Sequence, residues 1–165
     1  MESVYFDSVV FLAIFNGEPD GPNIKTLLRE LKRDKIKIQT SIITIQEVSV
    51  LGFRRGNTST DNHSKVERLA RIQTINRETA MSAAKFEALM IDTASQDAAE
   101  RAKESKRRKW DCFHIATAIE LRCTTLFTSD PFMLALRDRL GITTMQFSRP
   151  VPRSRELFET ARIQL

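Results

Sequence analysis

The chain has 165 residues, with 26 Lys and Arg against 21 Asp and Glu and a formal net charge of +5. Apolar residues make up 41% and charged residues 28%, with five Gly and five Pro, an average usage that excludes collagen-like, disulfide-scaffold and wholly disordered chains. The length suits one domain, and the small positive surplus permits a polyanion to approach without identifying one.

The longest apolar runs, Val9 to Phe15 and Leu89 to Ile91, fall far short of the ~18 residues of a membrane span. No basic flank and apolar core with a small-residue cleavage site opens the chain, so no secretory leader is expected. Two cysteines, Cys112 and Cys123, fit a reduced, cytoplasmic setting as core thiols.

Ser3 to Phe6 reads as a buried first strand ending at Asp7, and Ser8 to Asn16 as an apolar helix stopped by Gly17. After a loop over 17–22, Pro22 opens a second helix with Leu27, Leu28 and Leu31 inward and Arg29, Lys32 and Arg33 outward. Ile36 to Gln39 is a second strand, followed by a helix through Phe53. The polar run from Arg54 to Ser64 reads as a loop, Lys65 to Arg71 as a short helix and Ile72 to Ile75 as a third strand. A helix from Arg77 to Ile91 would turn Ala80, Ala84, Phe86 and Met90 inward. Gln96 to Trp110 is helix-prone and heavily charged, and Asp111 to Arg122 reads as a separate apolar helix. Thr124 to Thr128 is a strand, Phe132 to Leu140 a helix and Thr143 to Phe147 a last strand. Strands alternating with helices predict an α/β fold with a mainly parallel central sheet, with no internal repeat. The expected organisation is one domain over 1–147 with an arginine-bearing tail, 148–165.

In an open parallel sheet, ligands bind beyond the carboxyl ends of the strands. Asp7 directly follows the first strand, and Asp130 the Thr124 strand. Glu47 lies within the helix after the second strand, and Asp111 opens the helix leading to the Thr124 strand. Singly, each acid has a plainer explanation. Asp7 and Asp130, the latter followed by Pro131, are good helix N-caps; Asp111 favours a helix dipole; Glu47 is a wet-side residue. Those readings explain residue types but not a shared location. Glu47 discriminates, because Ile43, Val48 and Val50 around it are apolar and Thr44 shares its face. A carboxylate near a buried seam is costly unless paired or metal-bound, and four together raise one another's pKa unless a cation neutralises them. A hard divalent cation with oxygen ligands, Mg²⁺ or Mn²⁺, fits this set. No Cys-x-x-Cys zinc pattern competes, and His63 and His114 are far apart in sequence.

Four motifs in order then resemble the PIN-domain ribonucleases, most closely the VapC-type toxins of toxin–antitoxin pairs. They are Val4-Tyr5-Phe6-Asp7-Ser8, Thr44-Ile45-Gln46-Glu47-Val48, Asp111-Cys112-Phe113-His114-Ile115-Ala116-Thr117-Ala118 and Leu126-Phe127-Thr128-Ser129-Asp130. The resemblance implies a three-layer α/β/α fold and a metal-dependent endoribonuclease. Its acidic quartet would be Asp7, Glu47, Asp111 and Asp130, holding one or two Mg²⁺ or Mn²⁺ ions, with Ser8 and Thr128 in supporting positions. It also implies an RNA substrate, a homodimer and a cognate antitoxin that inserts a segment near the acids. The 54–64 loop, the basic stretch over 96–109 and the tail after Phe147 look like departures from the shortest toxins.

Lys103, Lys106, Arg107, Arg108 and Lys109 run up to Asp111; they are either a solvated face or phosphate contacts for RNA. Arg54 and Arg55 have a weaker claim of the same kind. His114, one turn after Asp111, suits a structural hydrogen bond or a place near the phosphate, and Trp110 suits anchoring the helix or base stacking. Two other functions stay open: a PIN nuclease of RNA processing or DNA maintenance without an antitoxin, and a non-catalytic RNA-binding module whose acids are only caps.

Overall fold

Alternation along one strand divides the molecule into layers. A computed structural model describes residues 2–54, 60–92 and 98–152, with the backbone alone described at 51, 60, 92, 98, 100–101 and 104–107. In β1 (Ser3–Phe6), Val4 and Phe6 point to one face and Tyr5 to the other, as the two-residue period of a strand requires. Val4 and Phe6 join Phe127 of β4 (Thr125–Phe127) in one apolar cluster. Residues of α1 (Ser8–Asn16), α2 (Gly21–Arg33), α3 (Ile42–Arg54) and α4 (Thr60–Leu69) complete that cluster. Tyr5 and Leu126 face the opposite layer, made by α5 (Arg77–Asp92), α6 (Ala98–Glu120) and α7 (Pro131–Arg139).

The sheet is completed by β2 (Lys37–Ser41), β3 (Arg71–Gln73) and β5 (Gln146–Ser148), in the order β3-β2-β1-β4-β5 with every neighbouring pair parallel. Parallel strands need long crossovers, and helices on both faces supply them. This is a three-layer α/β/α fold. The chain runs outward from β1 through β2 to β3, then returns to the other flank of β1 with β4 and β5. The order therefore reverses between β1 and β4, and the crevice at such a reversal is where open α/β sheets bind ligands.

Local chemistry explains the flanking helices. The Asp7 carboxylate accepts from the Ser8 N–H at the start of α1, and Gly17, left-handed at φ +67°, closes it with an N–H to the Ala13 carbonyl. In α2, Pro22 sits in the first turn and Ile24, Leu27 and Leu31 are buried, each contributing ~1.5–3 kcal/mol of transfer free energy.

Several sequence expectations move. Gln96 to Trp110 and Asp111 to Arg122 are parts of one continuous 23-residue α6, so Asp111 lies in its interior and opens no helix. The switch from charged to apolar residues at position 110 falls within the helix. It does not end the helix, because Lys, Arg, Glu and Ala are all strong helix formers. Residues 60–64, expected as loop, begin α4, where Asp61 sits in the first turn and His63 pairs with Glu67 at 3.0 Å. The buried stripe of α5 is Thr79, Ala83 and Met90 with Phe86 beside it; Ala84 is exposed. Cys123 lies beyond the end of α6, and both thiols are free and buried, as core thiols should be. The last strand starts at Gln146, because its pairing Thr125↔Gln146 and Phe127↔Ser148 sets the register. Among the described residues, no helix is long and apolar enough to cross a membrane. The tail from residue 153 and Arg55 lie outside the described residues.

Candidate active site

The carboxyl ends of β1 and β4 place Asp7 and Thr128 side by side, joined by the Asp7 N–H to the Phe127 carbonyl at 3.1 Å. Asp7 is 3% exposed. Its Oδ1 accepts from the Ser8 N–H at 2.6 Å and the Ser8 hydroxyl at 3.3 Å, and its Oδ2 accepts from the Thr128 hydroxyl at 2.9 Å. Thr128 Oγ1 in turn accepts from the Asp130 N–H at 3.1 Å. Asp130 then caps α7, its Oδ1 accepting from the Phe132 N–H at 2.8 Å. Both capping readings hold geometrically, and each cap lies at the crevice.

Glu47 reaches this edge from α3 and His114 from α6. His114 Nε2 lies 3.0 Å from Glu47 Oε2 and 3.5 Å from Asp7 Oδ1, while Nδ1 lies 2.7 Å from the Tyr5 hydroxyl and 3.4 Å from Ser41 Oγ. The ring is 1% exposed and packs edge-on to Tyr5. His114 thus makes structural hydrogen bonds, one of them to Glu47, and its ring lies beside Asp7. One ligand atom from each of Asp7, Glu47 and His114 falls within 4.8 Å of the others.

Arg108, Asp111 and His114 follow at helical intervals along α6. Arg108 Nη1 donates to Asp111 Oδ2 at 3.0 Å and lies 3.6 Å from Asp130 Oδ2. Its guanidinium stands 4.5 Å from the centre of the Phe132 ring. Arg108 is 4% exposed, so it does not belong to a solvated basic face. Lys109 and Arg54 are exposed, whereas the side chains of Lys106 and Arg107, and all of Arg55, lie outside the described residues. Trp110 is half-exposed and packs against Phe113.

Burial and crowding shape the titration of these groups. Burial raises Asp7, which the His114 charge opposes and the Glu47 charge reinforces; the net shift is upward. Asp111 is pushed up to about 6, chiefly by burial and against the Arg108 hydrogen bond, with the Asp7 charge adding to the rise. Burial also acts to raise Glu47, but the His114 hydrogen bond and charge bring it below the usual carboxylate value. His114 is raised, because Asp7, Glu47 and Asp111 outweigh its burial.

The structure gathers the four sequence-predicted acids at one crevice, with Ser8 and Thr128 bonded to the first of them. Reading the sequence missed the Arg108 and Tyr5 contacts. The i to i+3 spacing of Arg108 and Asp111 was a usable signal once α6 is continuous. Tyr5 offered none beyond strand alternation, which turns its hydroxyl toward α6.

Comparison with known proteins gives a PIN domain family model matching residues 4–137. No curated protein sequence matches the chain. Among solved structures, the chain is similar to a chain of a toxin–antitoxin complex from Klebsiella pneumoniae at 18% identity and TM-score 0.59, covering 89% of this chain and 97% of that one. It is similar to a chain of VapBC2 from Rickettsia felis, bound to a DNA fragment from its promoter, at 14% identity and TM-score 0.60, covering 89% and 98%. VapBC-1 from nontypeable Haemophilus influenzae matches at 13% identity and TM-score 0.60, covering 90% and 98%. These identities speak for the fold, and the family model, spanning most of the length, speaks for descent: the chain belongs to the PIN domain family.

Proposed function

We propose that this protein is a divalent-metal-dependent endoribonuclease acting as the toxin of a toxin–antitoxin pair, in the cytoplasm and as a homodimer. The observation that carries the reading is the convergence of Asp7, Glu47, Asp111 and Asp130 on the crevice between β1 and β4. The donor set suits a hard cation: carboxylate oxygens dominate, and Asp7 and Glu47 already bring ligand atoms within 4.8 Å. Mg²⁺ or Mn²⁺ bound there would supply an activated water and stabilise charge on the scissile phosphate.

The chain's own residues would do the rest. Ser8 and Thr128 fix the rotamer of Asp7, and His114 fixes Glu47. Asp111, with its carboxyl near 6, is ionised at neutral pH yet accepts a proton readily, as a general base should. The proton would go to Oδ1, since Arg108 holds Oδ2. Exposed Arg54 and Lys109, with Lys106 and Arg107, would contact backbone phosphates without regard to sequence.

The test is cleavage of total RNA with Mn²⁺. Wild type should yield fragments and Asp7→Asn none, and cleavage persisting in an Asp7→Asn/Asp111→Asn double variant would overturn the site. Growth arrest on expression, relieved by co-expressing a protein from an adjacent reading frame, would mark a toxin; cleavage without arrest would favour a processing nuclease. The capping geometry of Asp7 and Asp130 favours a second reading, a non-catalytic RNA-binding module. That reading requires that Mn²⁺ leave the stability unchanged.

A further inference from the structure

The four acids are not equivalent, because two of them already share a cation. Asp7 and Glu47 meet at His114, whereas Asp111 and Asp130 meet at Arg108. A guanidinium keeps its charge at any pH the protein meets, and at 4% exposure it needs anionic partners to be tolerated. The two shown are both members of the quartet. The group is also held in place, rooted one helical turn before Asp111 and lying over the Phe132 ring.

We propose that Arg108 is a built-in cation that takes the place of a second metal ion, so that the chain binds one divalent ion, on the Asp7–Glu47 side of the crevice. The inference rests on the metal-site reading above and narrows it. An ion seated between Asp111 and Asp130 would have to displace Arg108 from a near-buried position or stand beside its positive charge. An ion at Asp7 and Glu47 displaces no guanidinium, and the His114 nitrogen beside them is itself a ligand atom. Arg108 is thereby a positioning residue: it keeps Asp111 and Asp130 close together without metal.

The test counts Mn²⁺ bound per full-length chain, by calorimetry and by electron paramagnetic resonance with MnCl₂ alone. Wild type should bind one ion. Arg108→Met, which keeps the stem and removes the charge, should bind two, and Arg108→Lys should return to one. Two ions on wild type, or one ion of unchanged affinity on Arg108→Met, would overturn the inference. Should Arg108→Met fail to fold, Asp130→Asn decides. It should leave Mn²⁺ affinity within about threefold while Asp7→Asn lowers it more than tenfold, and a tenfold loss in Asp130→Asn would overturn the inference. Complete absence of Mn²⁺ binding to wild type would instead remove the metal-site reading itself.

Discussion

Asp7 caps α1 with one carboxylate oxygen and accepts the Thr128 hydroxyl with the other, so helix capping and the proposed site draw on the same side chain. Thr128→Val tests that coupling. It removes a donor to a buried carboxylate and the acceptor of the Asp130 N–H, and should cost ~1–3 kcal/mol in urea unfolding. Asp111 supplies a pH signature. Its folded pKa of about 6 lies above its ordinary 3.8, so between these values the folded state binds more protons than the unfolded one and metal-free stability falls as pH rises. The raised Asp7 and His114 act in the same direction, and the lowered Glu47 opposes them below its ordinary 4.5. Wild type in EDTA should therefore unfold at lower urea at pH 7 than at pH 5, and Asp111→Asn should narrow the difference. Mn²⁺ affinity should fall as pH drops, because protons then compete for Asp7, whose carboxyl burial raises above its ordinary value.

At the scale of the element, α6 carries the feature least visible beforehand. Read by composition, its two halves look like a linker and a helix. As a single 23-residue helix it sets Arg108, Asp111 and His114 one turn apart on one face. Lys109→Pro tests the continuity. Inside a helix it should cost ~3 kcal/mol or more and Lys109→Gly about 1, whereas proline before a helix starting at Asp111 would be nearly neutral. The bounds of β1 and α1 were legible because each has a local stop, Asp7 and the Asn16-Gly17 pair. The phase of α5 was not, since Ala80 and Ala84 offer the same small apolar side chain as Ala83 and only packing on α6 selects among them. Likewise Asp7 and Asp130 were readable as acids following strands, and Glu47 as an acid among apolar neighbours. Which of them pair with Arg108 and which with His114 depends on how α6 crosses the sheet, and no local pattern carries that.

For the whole molecule, the prediction concerns linkage. Mn²⁺ that binds only the folded state should stabilise by ~2.7 kcal/mol at one hundred times its Kd, or about 5–10 °C in melting temperature for a domain of this size. Asp7→Asn should lose that shift while keeping its fold. A wild-type melting curve indifferent to Mn²⁺ would leave the acids as caps alone.

The strand order has a further consequence, in time. β1 is made first and sits in the middle of the sheet, but its β4 neighbour arrives late: Asp7 and Thr128 are 121 residues apart. At ~5–20 residues per second of synthesis, the Asp7 carboxylate waits about 6–24 s for the hydroxyl that fixes it, and the ribosome must release the chain through β4 before the crevice can close. A nascent or truncated chain ending before β4 would carry Asp7, Glu47 and Asp111 and still lack the strand that lines them up. The carboxylates thus stay unaligned at the crevice until β4 has been synthesised.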